Sequence, residues 1–132
     1  MKEHHHFKRP DPDTQEIWTV TTSSDQLDWL TETAANLVRT KKAATVDISG
    51  PNITFANVDG IVTEKREWRL TARCSSATML ACARAIKERH PNPIPPIEAE
   101  SIQYIDPAYR SSVVDICEIS EVHIEKLTGA QI

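Results

Sequence analysis

Histidine and carboxylate side chains are the groups in this sequence that could bind a metal ion. His90 lies at the predicted end of a helix, directly before Pro91. Together with Glu67 or Glu98 it would offer the imidazole and carboxylate ligands that zinc and copper accept. Two ordinary roles compete with this one. A protonated His90 would stabilise the carboxyl end of its helix, and Glu67 would belong to a solvated strand face.

A second group of histidines lies near the start of the chain. His4, His5 and His6 are consecutive and belong to a polar stretch, residues 1–14. This stretch has too few apolar residues to order itself and is predicted to be a flexible arm. Adjacent side chains of an extended chain point to opposite sides, so three histidines in a row form a weak ligand set. Residues 15–132 are predicted to form a single domain.

Several other kinds of site are excluded by composition and spacing. The three glycines are too scattered for a phosphate-binding loop, and the sequence contains no GxSxG motif. The three cysteines form no CxxC pair, which argues against a disulfide framework or a zinc ribbon. Cys74 and Cys82 are predicted to be core thiols, and Cys117 is predicted to be the most exposed. No catalytic site is predicted, so the chain is expected not to be an enzyme.

The overall charge and hydropathy restrict the partners. The chain has 132 residues, with 15 basic against 19 acidic side chains and a formal charge of −4, which disfavours nucleic acid as a partner. No apolar run approaches the roughly 20 residues of a membrane span, so no membrane association is predicted. The first residues, MKEHHHFKRP, lack the apolar core of a signal peptide. A cytoplasmic location is therefore expected.

The elements that position these residues begin with a strand over residues 16–22, which is rich in β-branched side chains. Ser23, Ser24 or Asp25 is predicted to cap the helix that follows. Its apolar residues recur at helical spacing; they are Leu27, Leu30, Ala34, Leu37 and Val38. A second strand begins near Thr45.

The most informative stretch is a long β-hairpin. Asp59-Gly60 lies between two β-rich segments, a strong signal for a tight turn. The arms, from Thr45 to the turn and back to Arg73, would each be about 45 Å long if straight. A domain of this size has a radius of gyration of only about 14 Å. The hairpin must therefore bend at Gly50-Pro51 or project, and projecting strand edges are commonly paired by another subunit.

The second half of the chain repeats the helix and strand pattern. Ser75 or Ser76 is predicted to cap a helix that Pro91 ends. The proline-rich residues 91–97 suit an edge or a crossing segment, and a strand is predicted over Ile97–Tyr104. A short helix opens at Asp106-Pro107, with Tyr109, Val113 and Ile116 on one side. The order βαββαβ predicts an α+β, ferredoxin-like fold with an antiparallel sheet and two helices on one face.

Over residues 16–113 the chain resembles the CutA divalent-cation tolerance proteins. The matching segments read VTTSSDQLDWL, AATVDI, TFANVDGIV, EWRLTARC, ERHPNPIPPI and YRSSV. The resemblance implies a homotrimer that acts in tolerance of, or response to, divalent metal ions such as copper. It also implies that the hairpin and the C-terminal segment form intersubunit sheets, and that the metal site formed by His90 with Glu67 or Glu98 lies at a subunit boundary.

The chain also departs from the family pattern. Thr45 replaces a family cysteine that is a suggested metal ligand, and thiolate is the ligand that soft copper prefers. Aromatic positions of the family are occupied by Ala56, Val58 and Ser112. The positions that match are Glu67, His90, Pro91 and Tyr109, with Arg73 in place of a lysine. A divergent member is predicted, with no certain cofactor and at most weak binding of copper or zinc.

An alternative function follows from the same fold. PII-like signalling proteins resemble this predicted assembly and bind small molecules between their subunits. By that analogy the chain would bind a small anion in an intersubunit cleft formed by Arg69, Arg73 and Tyr109.

Overall fold

The computed structural model describes residues 15–117, which contain four strands and three helices. The elements are β1 (Ile17–Ser24), α1 (Leu27–Arg39), β2 (Thr45–Val58), β3 (Ile61–Ser75), α2 (Met79–Arg89), β4 (Glu98–Ser101) and α3 (Pro107–Ile116). The strands form one antiparallel sheet in the order β2-β3-β1-β4. This arrangement confirms the predicted α+β, ferredoxin-like fold. The predicted arm, residues 1–14, and the residues after Cys117 lie outside the described part of the chain.

One face of the sheet is apolar and holds the core. Alternate residues of a strand point to the same face, and on this face Val20, Leu70 and Ala72 are completely buried. They belong to one apolar cluster with Leu30 and Leu37 of α1, and Ile86 of α2 joins the same cluster. Removing these side chains from water is the main force that holds the helices on the sheet.

The opposite face of the sheet, called the open face below, carries polar side chains over its central part, from Thr19 to Ser23 of β1. Residues directly opposite each other in antiparallel strands share a face, so the register defines its members. They are Thr19, Thr21 and Ser23 on β1, Thr45, Asp47 and Ser49 on β2, Arg69, Thr71 and Arg73 on β3, and Glu98 and Glu100 on β4.

The long hairpin predicted from the sequence is present as β2 and β3. Its strands pair from Thr45 opposite Arg73 to Val58 opposite Ile61. Asp59 and Gly60 form the turn with positive φ angles of 53° and 83°, the conformation that this dipeptide favours. The pairing register shifts between Ser49 and Asn52, at Gly50-Pro51 where a bend was one of the two predicted alternatives. Only residues 68–75 of β3 pair with β1, so the distal part of the hairpin, residues 52–67, extends past β1 as a two-stranded ribbon.

The predicted helix caps are wrong. α1 begins after Gln26, and Ser24 instead accepts the Gln26 backbone N–H at 3.0 Å. α2 begins after Thr78, while Ser75 continues β3 opposite Ile17. Strand pairing therefore extends into both serine-rich segments and takes precedence over their local preference for capping a helix.

The edge strand β4 is shorter than predicted. The sequence suggested a strand over Ile97–Tyr104, whereas β4 spans Glu98–Ser101. Its partner β1 begins at Ile17, and the Ile102 N–H donates to the Ile17 carbonyl at 2.8 Å as the last bond. The strand ends there because its single partner ends. Residues 91–97 contain no helix or strand, in agreement with their proline content.

The start of α3 was predicted correctly. The Asp106 carboxylate accepts the N–H groups of Ala108 and Tyr109, and Pro107 occupies the first turn. The side chains that α3 buries are Val113 and Val114, whereas Tyr109 and Ile116 are 39% and 42% exposed. Of the three residues predicted to share one side of the helix, only Val113 is buried.

The three cysteines are free and completely buried. This confirms Cys74 and Cys82 as core thiols and shows that the predicted exposure of Cys117 is wrong. The hydrogen bond with Cys82 and burial raise the pKa of Cys74, and burial raises the pKa of Cys117. Such thiols stay protonated and are poor nucleophiles.

Within residues 15–117, no helix is both long enough and apolar enough to cross a membrane.

Candidate functional site

His90 follows α2 and connects the end of β1 to the proline-rich segment. Its Nε2 atom lies 3.0 Å from the Thr22 hydroxyl and 3.1 Å from the Ser23 carbonyl oxygen. Its Nδ1 atom accepts the backbone N–H of Asn92 at 3.0 Å. A nitrogen that accepts carries no proton, so this network assigns the proton to Nε2, which donates to β1. The imidazole is neutral and both of its nitrogens are engaged.

The surroundings of the ring favour the neutral form. Burial lowers the pKa of His90 below its ordinary value near 6.5, while the hydrogen bond to the Ser23 carbonyl and the charge of Glu67 raise it in part. The ring also meets Trp29 edge to face, with centroids 4.7 Å apart. His90 does occupy the C-cap position of α2, and its backbone N–H donates to the Lys87 carbonyl oxygen at 3.4 Å. Its side chain, however, bonds to β1 rather than to the carbonyls of the helix.

Glu67 and His90 line the same cavity, whose volume is about 320 Å³. Its wall comes from the turn between β1 and α1, from β3 and from the segment after α2. Only 13% of the Glu67 side chain is exposed, and Lys65 Nζ lies 3.8 Å from its Oε2 atom. The fold thus brings together two of the three predicted metal ligands.

Glu98 does not join them within one chain. It lies on β4 opposite Thr21, is exposed and does not line the cavity. Among residues 15–117 no group of three or more histidine, cysteine, aspartate or glutamate side chains is placed to hold a metal ion. Zinc sites in proteins use three or four protein ligands. One chain therefore offers an incomplete ligand set.

The residues predicted for an anion cleft are spread over the molecule. Arg73 Nη1 lies 3.0 Å from the Asp47 carboxylate on the open face. Arg69 lies between Ser23 and Ser49 of the neighbouring strands. Tyr109 belongs to α3. Two further cavities lie beside the start of β1, with a volume of about 480 Å³, and between α1 and α2, with a volume of about 240 Å³. Arg69, Arg73 and Tyr109 line neither of these cavities, nor the cavity lined by Glu67 and His90.

Sequence reasoning missed the residues that hold His90. Asn92 could have been found from its type, because asparagine between prolines favours a turn; its side-chain oxygen accepts the Ile94 N–H at 3.0 Å. Thr22 and Ser23 carried no such signal. They meet His90 only because α2 runs back across the sheet to the end of β1.

Thr45, which replaces the family cysteine, lies on β2 opposite Arg73. Its hydroxyl oxygen is buried without a hydrogen-bond partner. A hydroxyl does not offer the soft sulfur ligand that copper favours, so this position adds nothing to the metal site.

Comparison with solved structures shows what the fold resembles. CutA1 from Oryza sativa superimposes with a TM-score of 0.76 at 18% identity, covering 83% of this chain and 100% of that chain. CutA1 from Shewanella sp. SIB1 gives 0.73 at 22% identity, with coverage of 76% and 94%. The structure titled periplasmic divalent cation tolerance protein CutA, from Archaeoglobus fulgidus, gives 0.73 at 20% identity, with coverage of 77% and 99%. At these identities the likeness establishes the fold.

Comparison of sequences establishes the family. No curated protein sequence matched this chain significantly. The family model described as CutA1 divalent ion tolerance protein matches residues 17–115, a span that runs from the first residue of β1 into the last turn of α3. With the βαββαβ order, the long hairpin and the matching solved structures, this assigns the chain to the CutA1 divalent ion tolerance protein family.

Proposed function

We propose that this chain is a non-enzymatic, cytoplasmic protein of divalent-ion tolerance or response that binds copper or zinc weakly through Glu67 and His90. The observation that carries the proposal is the shared cavity. Glu67 and His90 come from different elements, yet both line it, and the charge of Glu67 acts on the imidazole. A carboxylate beside a neutral imidazole is a ligand pair that either metal accepts.

The same geometry explains why the binding is weak. A metal ion needs the lone pair of an imidazole nitrogen, and both nitrogens are engaged in hydrogen bonds. Binding at Nε2 would release its proton and the bond to β1. Lys65 also competes for the Glu67 carboxylate. Each of these interactions reduces the net affinity for the ion.

Calorimetric titration with Cu²⁺ and with Zn²⁺ at neutral pH tests the site. The full chain should carry His4→Ala, His5→Ala and His6→Ala, because the histidine run would add its own binding. In that background Glu67→Gln and His90→Ala are each expected to weaken binding by about ten-fold or more. The control is Glu32→Gln, on the exposed side of α1, which should leave binding unchanged.

Unchanged affinity in both the Glu67 and the His90 variants would overturn the metal site. Glu98→Gln is measured in the same series. A loss of affinity there would support Glu98 of a second copy as the third ligand predicted from the sequence.

The proposal includes a homotrimer and a reducing compartment. The distal hairpin has strand edges that β1 does not cover, and it exposes large apolar side chains; both features suit pairing with another subunit. Three free, buried thiols suit the cytoplasm. Light scattering should give about three times the chain mass of 14.8 kDa. A mass of one chain at micromolar concentration would contradict the trimer.

A small-anion sensor is the second candidate, and one observation favours it. The Arg69 guanidinium has no ion-pair partner among residues 15–117 and lies between the serines of two neighbouring strands. A ligand of the folded state raises the unfolding temperature. A screen of nucleotides and carboxylate metabolites should therefore find a shift that Arg69→Ala removes, and a screen without any shift would argue against the sensor.

A further inference from the structure

The cavity of about 480 Å³, called the β1 cavity below, lies at the opposite end of β1 from the candidate metal site. Its lining comes from the residues that lead into β1, from the end of β4 and the loop after it, and from α3. Ile17 begins β1 and lines this cavity, whereas Ser23, near the end of the strand, lines the cavity of Glu67 and His90. At about 3.3 Å per residue, the two places are about 20 Å apart. They are therefore separate sites.

Part of the lining of the β1 cavity is apolar. Ile17 and Ile105 are 1% and 7% exposed and belong to the core cluster, and Ile102 packs against that cluster. Small-molecule sites in proteins have volumes of roughly 300–1,000 Å³ and combine an apolar lining with a few polar groups. The size and the three isoleucines thus suit the apolar part of a small ligand.

Gln15 contributes a buried polar group to the same lining. The residue is 8% exposed, and its Oε1 atom has no hydrogen-bond partner among residues 15–117. Buried polar atoms are nearly always paired, so an unpaired one calls for a partner. The terminal torsion of glutamine is broad, so rotation of the carboxamide can turn this oxygen to a group inside the cavity. The partner that the oxygen needs is an N–H or O–H donor.

Two side chains of opposite charge complete the lining. Glu16 precedes β1 and is exposed, and Arg110 lies on α3 and is half-buried. The Glu16 carboxylate lies in the same cavity as the Gln15 oxygen, and both accept hydrogen bonds, which favours an ammonium group. The Arg110 guanidinium matches a carboxylate with two parallel hydrogen bonds. It has five N–H donors, so it can hold a carboxylate besides its other interactions.

We propose that the β1 cavity binds a free α-amino acid with an apolar side chain, such as leucine. The ammonium group donates to Gln15 and Glu16, the carboxylate accepts from Arg110, and the side chain packs against the isoleucines. An amine without a carboxylate would leave the guanidinium unmatched. A carboxylic acid without an amine would give the Gln15 oxygen no donor and would place a like charge beside Glu16.

Calorimetric titration of the full chain with L-leucine tests the class of ligand. Three probes each remove one feature of L-leucine: 3-methylbutylamine lacks the carboxylate, 4-methylpentanoate lacks the amine, and L-serine lacks the apolar side chain. Each probe leaves part of the lining unmatched and is expected to bind about ten-fold more weakly or worse.

Substitutions in the lining test the location. Gln15→Leu and Glu16→Gln are each expected to weaken the binding of L-leucine by about ten-fold or more. Glu88→Gln, on the exposed side of α2 and outside this lining, is the matched control for Glu16→Gln and should leave binding unchanged.

The unfolding temperature of Gln15→Leu separates a lost ligand from a lost fold. The substitution removes an oxygen that makes no hydrogen bond, so the unfolding temperature without ligand should not fall. The rise that L-leucine produces in the wild type should disappear in this variant.

Three outcomes would contradict the site. If L-leucine, L-isoleucine and L-phenylalanine at millimolar concentration give neither heat of binding nor a rise in unfolding temperature, the proposal is overturned. Equal affinity for L-leucine and either of its truncated probes, 3-methylbutylamine or 4-methylpentanoate, would overturn the amino acid as the ligand class. Binding that both Gln15→Leu and Glu16→Gln leave unchanged would locate the ligand elsewhere and would overturn the β1 cavity as its site.

Discussion

His90 connects three parts of the chain through one imidazole ring. It donates to the end of β1, accepts from the segment after α2 and packs against Trp29 of α1. The ring can do this only while neutral, because the Asn92 N–H needs a free lone pair on Nδ1. A metal ion at Nε2 would remove one of these bonds. Metal binding and the position of residues 91–97 are therefore expected to be coupled at this residue.

The neutral state of His90 leads to a prediction about acid stability. Because the folded state lowers its pKa, the unfolded chain binds a proton at this position more readily. The contribution of His90 to stability is complete above the ordinary pKa near 6.5 and is lost as the pH falls from there through the lower folded value. Urea unfolding of the wild type at several pH values should show this loss.

His90→Gln is the matched variant for that measurement. Glutamine does not titrate and retains a donor for the Ser23 carbonyl, but it loses the acceptor for Asn92 at a cost of about 1 kcal/mol at neutral pH. The difference in unfolding free energy between the wild type and this variant should shrink below pH 6.5. A difference that is constant across pH would contradict the lowered pKa of His90 in the folded state.

At the scale of elements, the β2–β3 hairpin depends on two glycines for different reasons. Gly60 has a φ of +83°, and a Cβ there would meet no atom within 4 Å. Gly50 has a φ of +127°, and a Cβ there would lie 3.1 Å from the Glu67 carbonyl oxygen and 3.2 Å from the Trp68 Cα. Both positions disfavour a side chain, and only Gly50 adds a tight contact with the backbone of the opposite strand.

This difference predicts unequal effects of alanine at the two positions. Gly60→Ala should cost about 1–2 kcal/mol, the penalty of a left-handed conformation for a residue with a Cβ. Gly50→Ala should cost more, because β3 must also move. Chemical denaturation of the two variants under identical conditions is the comparison, and equal losses would contradict the role of close packing at Gly50.

The elements also show what could be predicted from the sequence. Asp59-Gly60 and Asp106-Pro107 carry their own conformational preferences, so the hairpin turn and the start of α3 were predicted correctly. The start of α2 was predicted wrongly, because Ser75 pairs with Ile17 and a distant strand therefore determines where β3 ends. Local chemistry was sufficient where a few neighbouring residues decide the geometry, and insufficient where tertiary pairing decides it.

The candidate site also combines features that local chemistry predicts with features that only tertiary packing decides. The residue types at Glu67 and His90 indicated a ligand pair, and the fold places both in one cavity. The state of the imidazole could not be predicted, because Thr22 and Ser23 reach it only through the packing of α2 against β1. The sequence therefore indicated which groups could bind a metal, and the tertiary structure shows that both nitrogens of the imidazole already make hydrogen bonds.

At the scale of the whole molecule, the exposed apolar side chains of the distal hairpin are separated from the polar open face of the sheet. The open face carries the charges, whereas the distal hairpin exposes apolar side chains. Ile53, Phe55 and Val62 share one side of the hairpin according to the strand register, and they are 57%, 67% and 73% exposed. Single exposed apolar residues are normal, whereas a contiguous group indicates an interaction surface. The hairpin is thus the expected source of binding energy between copies of the chain.

A matched pair of variants tests this assignment. Phe55→Ser should weaken assembly by about 2 kcal/mol per subunit, the free energy of burying a large apolar side chain. Leu80 of α2 is 59% exposed but lies outside the hairpin, so Leu80→Ser should leave assembly unchanged. Assembly makes the unfolding temperature depend on protein concentration. The dependence of the unfolding temperature on protein concentration should weaken in the Phe55 variant and persist in the Leu80 variant. An equal dependence in both variants would show that the apolar hairpin does not join the subunits.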